Sequence, residues 1–374
     1  MDMLSPMSAS VPYFTTVGNH ETDWPDTTAY YNGHDSGGEC SKAAFKFIKQ
    51  PAPATYEKPW WAYSVGLIHF IGLSSEQNFT KNSEQYLWFE EDLKKINRTE
   101  TPWVIFGTHR AMYISSSWGP NNKNGKFTPS TDIANMNLMV ANLEPLLWKY
   151  KVNLGLYGHM HCVQRQAAIL EQKVVQNAKM IKDDQGNDLA MHDDPQATVH
   201  YIIGTGGANL MTTINPITPV WNERNFFRWG YAIIEAVNST KLTFRWVESS
   251  TNKVIDRMTI TQRDPSHKNN TVFSCPGSQF TCGGYDPNAP KVSNEKSKKL
   301  NDVNTLVIVG ASLGGLFLLS FLFYQYSDKI SNFVGNRNRT ESEKRDSTVE
   351  MGDTAGVSNP VLAEALKIEE DKKK

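Results

Sequence analysis

The chain has 374 residues, 39% hydrophobic and 11% aromatic, enough to bury a sizeable core in one large or two medium domains and too apolar for a disordered protein. Its 38 Lys and Arg nearly balance 39 Asp and Glu, so no global basic field attracts nucleic acid and no acidic excess repels phosphate. Four cysteines without a C-x-x-C pair exclude a structural zinc framework.

In chain order, apolar runs mostly bounded by Gly or Pro predict strands at Tyr13 to Val17, Trp61 to Val65, Leu67 to Leu73, Trp103 to Phe106, Val152 to Tyr157 and Val199 to Ile203. Ser83 to Ile96 reads as an amphipathic helix, with Tyr86, Phe89, Leu93 and Ile96 on one side and Ser83 as N-cap. A second helix is predicted from Glu144-Pro145, since proline is tolerated in a first turn. Tyr231 to Val237, Leu242 to Val247 and Val254 to Ile260 read as an antiparallel meander. Residues 1–262 thus form one α/β domain, and the polar stretch 263–302 a stalk.

Val303 to Tyr324 carries no charge, and 303–326 is read as a single transmembrane helix. Gly310 and Gly314 have the G-x-x-x-G spacing that packs two such helices as a homodimer, although the same spacing is often just permissive sequence. Residues 327–374 are polar and charge-rich, as in a disordered cytoplasmic tail. The glycosylation acceptors Asn78, Asn97, Asn238 and Asn269 all precede the span. With the basic residues after it, they predict a single-pass type I membrane protein whose globular domain is extracellular or lumenal. Cys275 and Cys282 enclose a short loop and form either a small disulfide or two free thiols. The first residues lack a basic n-region and an apolar h-region, so the chain is read as starting inside a longer open reading frame.

Three blocks carry the chemistry: Gly18-Asn19-His20-Glu21, Gly107-Thr108-His109-Arg110 and Gly158-His159-Met160-His161. Each follows an apolar run, where an α/β sheet presents reactive groups, and each ends in imidazole or amide groups suited to a metal ion. That is the layout of a metal-dependent hydrolase. Every candidate ligand is neutral, however, and two cations a few Å apart repel strongly unless carboxylates offset them. Glu21 and Asp23 stand too close to His20 in sequence to bridge both ions. The remaining histidines, His34, His69, His192, His200 and His267, are read as hydrogen-bonded or exposed, with His69 a core histidine bonded to backbone. Trp60, Trp61, Trp88, Trp103 and Trp148 are read as core, and Gly204-Thr205-Gly206-Gly207 as a tight turn.

These blocks resemble the last three of the five signature blocks of purple acid phosphatases, within the binuclear metallophosphatase superfamily. The resemblance extends to Val11-Pro12-Tyr13, Gly38-Glu39-Cys40, Ser83-Glu84-Gln85-Tyr86, Thr101-Pro102-Trp103, His109-Arg110-Ala111-Met112-Tyr113 and Leu143-Glu144-Pro145-Leu146-Leu147, and fades past about Ile260. It implies an αββα sandwich. It also implies that Asn19, His109 and His159 bind a divalent ion (Zn, Mn or Fe) and that His161 binds Fe(III). His20 would assist the leaving group and Glu21 would orient it from behind. The reaction implied is hydrolysis of small-molecule or protein phosphate monoesters by a metal-bound hydroxide at low pH.

The family's Asp-x-Gly and Gly-Asp-x-x-Tyr blocks do not occur before Asn19, and Cys162-Val163-Gln164-Arg165 stands where a His-x-Tyr-Glu-Arg pattern is common. Ala111 takes a position often held by proline. The chain as it stands is therefore expected to be inactive or impaired. The alternatives are a non-catalytic membrane glycoprotein that keeps the scaffold, or a phosphodiesterase of the same superfamily.

Overall fold

The structure, a computed structural model, describes residues 12–22, 40–115, 131–211, 220–263, 305–310 and 320–324. Most of the expected stalk, the tail 327–374, Asn269, Cys275, Cys282, His34 and His267 lie outside the described residues. The strands, in chain order, are β1 Tyr13–Phe14, β2 Trp61–Val65, β3 Ile68–Gly72, β4 Trp103–Thr108, β5 Leu154–Tyr157, β6 Val163–Leu170, β7 Lys173–Gln176 and β8 Lys179–Lys182. They continue as β9 Asp188–Asp193, β10 Val199–Ile203, β11 Asn222–Phe226, β12 Gly230–Asn238, β13 Lys241–Glu248, β14 Val254–Thr261, β15 Thr305–Gly310 and β16 Ser320–Tyr324.

One sheet runs β11-β6-β10-β5-β4-β3-β2, with β7 paired to β6, and the other runs β1-β16-β15-β12-β13-β14-β9-β8. In the first sheet β3, β4, β5 and β10 are mutually parallel, so their C-terminal ends open on one edge. Alternation of side chains along each strand decides what each face covers. Trp103 and Ile105 of β4 join Ile234, Phe244, Trp246 and Met258 of the second sheet in the core between the sheets. Val104 and Phe106 face the other way, onto Phe89 and Leu93 of the helix Glu84–Lys95 and onto Leu146 and Leu147 of the helix Glu144–Lys149. Ser83 caps the first of these helices by accepting from the Tyr86 amide at 3.2 Å, as its sequence predicts.

The α/β sandwich of two mixed sheets agrees with the expected class. Of the αββα layers, the helices Glu84–Lys95, Thr131–Asn142 and Glu144–Lys149 cover the outer face of the first sheet. On the second sheet, β12 alternates buried with half-exposed residues, the signature of a face that is only partly covered.

A buried ionic cluster crosses the interface. Asp256 of β14 accepts from Tyr201 of β10 at 2.8 Å and from Arg224 of β11 at 2.9 Å. Arg165 of β6 pairs with Glu223 at 3.1 Å, and its Nε lies 3.1 Å from Asp256 without hydrogen-bond alignment. Such a cluster adds little net stability, because desolvation offsets the Coulomb gain, but a shift of the sheets would strand a buried charge.

Where the sequence predicts a helix over 303–326, Thr305–Gly310 and Ser320–Tyr324 are antiparallel strands inserted between β12 and β1. An uncharged run rich in Val, Ile, Leu and Phe suits a sheet whose backbone groups are paired as well as it suits a helix in lipid, so composition alone does not choose. Among the described residues no helix is long and apolar enough to cross a membrane.

The segment leading to the first block is tied down by Trp61, fully buried, whose indole N–H donates to the Thr15 carbonyl at 2.7 Å. Trp61→Phe keeps most of the apolar volume and orphans that carbonyl, so it should lower stability by about 1–3 kcal/mol. The check is a urea titration in which the midpoint falls while the slope stays constant.

Candidate metal centre

The first block follows β1 as a tight turn. Gly18 N-caps the short helix Asn19–Thr22, and the Glu21 carboxylate at the third helical position reaches back to the Gly18 amide at 2.8 Å. Thr22 Oγ1 donates to the Gly18 carbonyl at 3.2 Å, so the turn presenting Asn19 is closed on itself. A side chain at 18 is excluded, because a Cβ there would sit 2.7 Å from three ring atoms of His109.

The second and third blocks leave the C-terminal ends of the adjacent parallel strands β4 and β5, and the Gly158 amide donates to the His109 carbonyl at 3.0 Å. His159 adopts a left-handed backbone with φ 59°, a sparsely populated region tolerated where the surroundings over-determine it. The turn after β10 closes over this loop. A Cβ on Gly204 would fall 1.8 Å from the Met160 carbonyl oxygen.

Three donor atoms converge. Asn19 Oδ1 lies 2.6 Å from His109 Nε2 and 3.2 Å from His159 Nδ1, and the two ring nitrogens are 3.1 Å apart. Ligands about 2.0–2.2 Å from a cation and held at roughly 90–110° to one another are about 2.9–3.5 Å apart, so the triangle fits one face of a divalent-ion site, with one short edge. Burial, then the neighbouring His159, His20 and His161, drives the His109 pKa well below that of a free imidazole and keeps the ring neutral.

His161 is half-buried, and its Nδ1 donates to the Asn209 carbonyl at 2.6 Å, which leaves Nε2 as its ligand atom. Burial, partly countered by this bond, pulls its pKa down to about 4. His20 is exposed and within electrostatic reach of both His109 and His161. Among the described residues no three His, Cys, Asp or Glu side chains are grouped to hold a metal. The triangle has two histidines and an amide, so it satisfies a divalent ion, but the described residues do not complete a ferric site around His161.

Behind His159 lies a charged cluster that the sequence did not reveal. His159 Nε2 is 2.9 Å from Asp132 Oδ1, which also accepts from Arg110 Nη1 at 2.9 Å. Arg110 Nε faces both oxygens of Glu76 at 3.2 and 3.3 Å, and Ser75 Oγ binds Glu76 and accepts from the Arg110 amide. All these charged groups are buried. The Asp132 carboxyl is raised by burial but brought below its usual value by His159 and Arg110. Arg110 was visible in the second block, and a buried arginine needs carboxylates; their positions, 34 residues upstream and 22 downstream, were not readable.

Other predicted residues have different settings. His69 is buried but bonds side chains rather than backbone, Ser64 Oγ at 2.7 Å and Asp92 Oδ2 at 2.8 Å, tying the β2–β3 hairpin to the helix Glu84–Lys95. Asn78, Asn97 and Asn238 each accept from the amide and hydroxyl of the threonine two residues on, at surface turns. Trp60, Trp61 and Trp103 are core.

The comparisons with known proteins follow the same lines. A sequence model described as calcineurin-like phosphoesterase matches residues 1–163, and one described as iron/zinc purple acid phosphatase-like protein C matches residues 197–257. A purple acid phosphatase isolated from yellow lupin seeds superposes with a TM-score of 0.57 at 29% identity, over 71% of this chain and 43% of that one. The chain belongs to the purple acid phosphatase family. Among family members, a protein named probable inactive purple acid phosphatase 24 from Arabidopsis thaliana is 32% identical over 69% of this chain. A nucleotide pyrophosphatase/phosphodiesterase from Hordeum vulgare is 30% identical over 69% of this chain. The chain spans 39% and 65% of the lengths of these two relatives.

Buried neutral histidines make stability depend on pH. His192 and His200 have pKa values lowered to about 3, both by burial first, and His161 to about 4. In the unfolded chain they titrate near 6.5, so between pH 6.5 and 5 the unfolded state binds more protons and stability falls as pH falls. Metal-free protein should show a decreasing unfolding free energy across that interval, and His200→Gln should flatten the slope.

Proposed function

We propose that this protein is a metal-dependent phosphohydrolase that acts on phosphate monoesters, with one divalent ion (Zn, Mn or Fe) held by Asn19, His109 and His159 and His161 contributing to a ferric partner. The observation that carries this reading is the triangle of Asn19 Oδ1, His109 Nε2 and His159 Nδ1, at the strand ends where a parallel sheet presents its chemistry. Family membership and the neutral state of His109 support it.

When bound, the divalent ion supplies Lewis-acid neutralisation of phosphate charge. Asn19 and the two imidazoles fix its place through a buried frame, which keeps the phosphoryl group in one orientation. His20, exposed at the lip beside His109 and His161, is placed to hold a proton for the departing ester oxygen. Glu21 keeps that lip in position through the Gly18 amide.

A scaffold reading is favoured by two observations: no three His, Cys or carboxylate side chains are grouped as a metal site among the described residues, and a relative is named as probably inactive. A diesterase reading draws on the name of the Hordeum relative. We place the domain on the extracellular or lumenal side, on the strength of acceptor asparagines at surface turns, with the uncharged run 303–326 as the candidate membrane anchor. Glycosidase sensitivity and carbonate extraction of the expressed protein check that placement.

With iron and zinc or manganese supplied, any hydrolysis should be impaired, as a ferric site left incomplete among the described residues dictates, and faster on p-nitrophenyl phosphate than on bis-p-nitrophenyl phosphate. His20→Ala should lower kcat about 10²–10⁴-fold with a smaller change in KM. A folded, metal-loaded protein that hydrolyses neither ester would leave the scaffold reading standing.

A further inference from the structure

We infer that Asp132 is the positioning residue of the cation site: it holds His159 by its Nε2–H so that Nδ1 faces the cation, and it provides the negative charge that the three neutral donors lack. The inference rests on the divalent-ion reading above and adds to it a residue from the start of the helix Thr131–Asn142, outside all three blocks.

Three observations combine. Asp132 Oδ1 lies 2.9 Å from His159 Nε2, on the opposite side of the ring from the nitrogen that meets Asn19 and His109. A carboxylate only accepts hydrogen bonds, so the ring proton belongs on Nε2 and the Nδ1 lone pair is left facing the triangle. Arg110 Nη1, 3.2 Å from the same Nε2, would donate only to an unprotonated ring nitrogen, but it already donates to Asp132 Oδ1 at 2.9 Å, and the carboxylate is the nearer partner of Nε2, so the assignment is Nε2–H.

Charge counting gives the second role. Arg110 sits between two carboxylates, Glu76 and Asp132, and all three are buried, so the cluster carries one net negative charge next to His159. A cation on the far side of the ring offsets that charge, and a carboxylate behind a metal-bound imidazole raises the basicity of the ligand nitrogen. Glu76 contributes equally to the pairing of Arg110 and accepts from Ser75 Oγ, whereas Asp132 is the carboxylate that meets the His159 ring.

This asymmetry supplies the test. Zinc affinity is measured by competition with a chromophoric chelator on the wild type, Asp132→Asn and Glu76→Gln, alongside the melting temperature of each metal-free protein. Both variants remove one charge from Arg110, so both should melt earlier. Only Asp132→Asn should weaken zinc, by about 10–100-fold, with Glu76→Gln within threefold of wild type. Equal zinc affinities of Asp132→Asn and wild type, or equal losses in both variants, would overturn the inference. Should a variant not fold, the nitrogen-15 shifts of the His159 ring in metal-free wild type decide: an Nε2–H tautomer is expected, and an Nδ1–H tautomer refutes it. Failure of the wild type to bind zinc at all would instead bring down the divalent-ion reading itself.

Discussion

The structure is organised around a buried meeting of lone pairs. Asn19 Oδ1, His109 Nε2 and His159 Nδ1 lie within 3.2 Å of one another, in a place with almost no access to water. Electron-rich atoms crowded in this way repel unless a proton or a cation stands among them. The local features of the three blocks serve that meeting: a residue without a side chain beneath the His109 ring, a carboxylate that pins the Asn19 turn, and a left-handed backbone that swings His159 inward. The parallel strands β4 and β5 bring the second and third blocks side by side, and the first arrives from a segment whose Thr15 is held by Trp61 and Gln50.

Charge is handled in depth rather than at the surface of the site. Asp132 stands one ring behind the histidine triangle, with Arg110 between it and Glu76. The three donor atoms are neutral and the negative charge lies in the layer behind them, at Asp132 and Glu76 around Arg110. The second ionic cluster, around Arg165 and Asp256, joins β6 and β11 to β14 and serves the register of the two sheets. Buried ions thus do separate jobs in one domain.

Much of this was legible in the residues. The strands β2 to β5, β10 and the meander β12 to β14 are runs whose apolar content leaves little choice, and Ser83 announces its helix by hydrogen-bond chemistry. The three blocks that meet at the histidine triangle were legible because glycine, histidine and asparagine recur after such runs. β6 was not: Val163–Leu170 carries Gln164, Arg165 and Gln166, and their burial depends on partners that sequence does not place. The helix Thr131–Asn142 has three asparagines and no clean stripe, so its first-turn Asp132 had no context until the fold set it against His159. The uncharged run near the end was readable as apolar and not as helix or strand, because both satisfy the backbone when the surroundings cooperate.

The crossing of Gly204 over Met160 has an evolutionary consequence. With a hypothetical methyl there only 1.8 Å from a carbonyl oxygen, the turn after β10 and the loop after β5 occupy neighbouring space with nothing to spare. Neither stretch is free to drift alone. A graft that imports the His159–His161 loop from a cousin must import the matching turn some forty residues later, and natural variation at the two places is constrained to move as a pair.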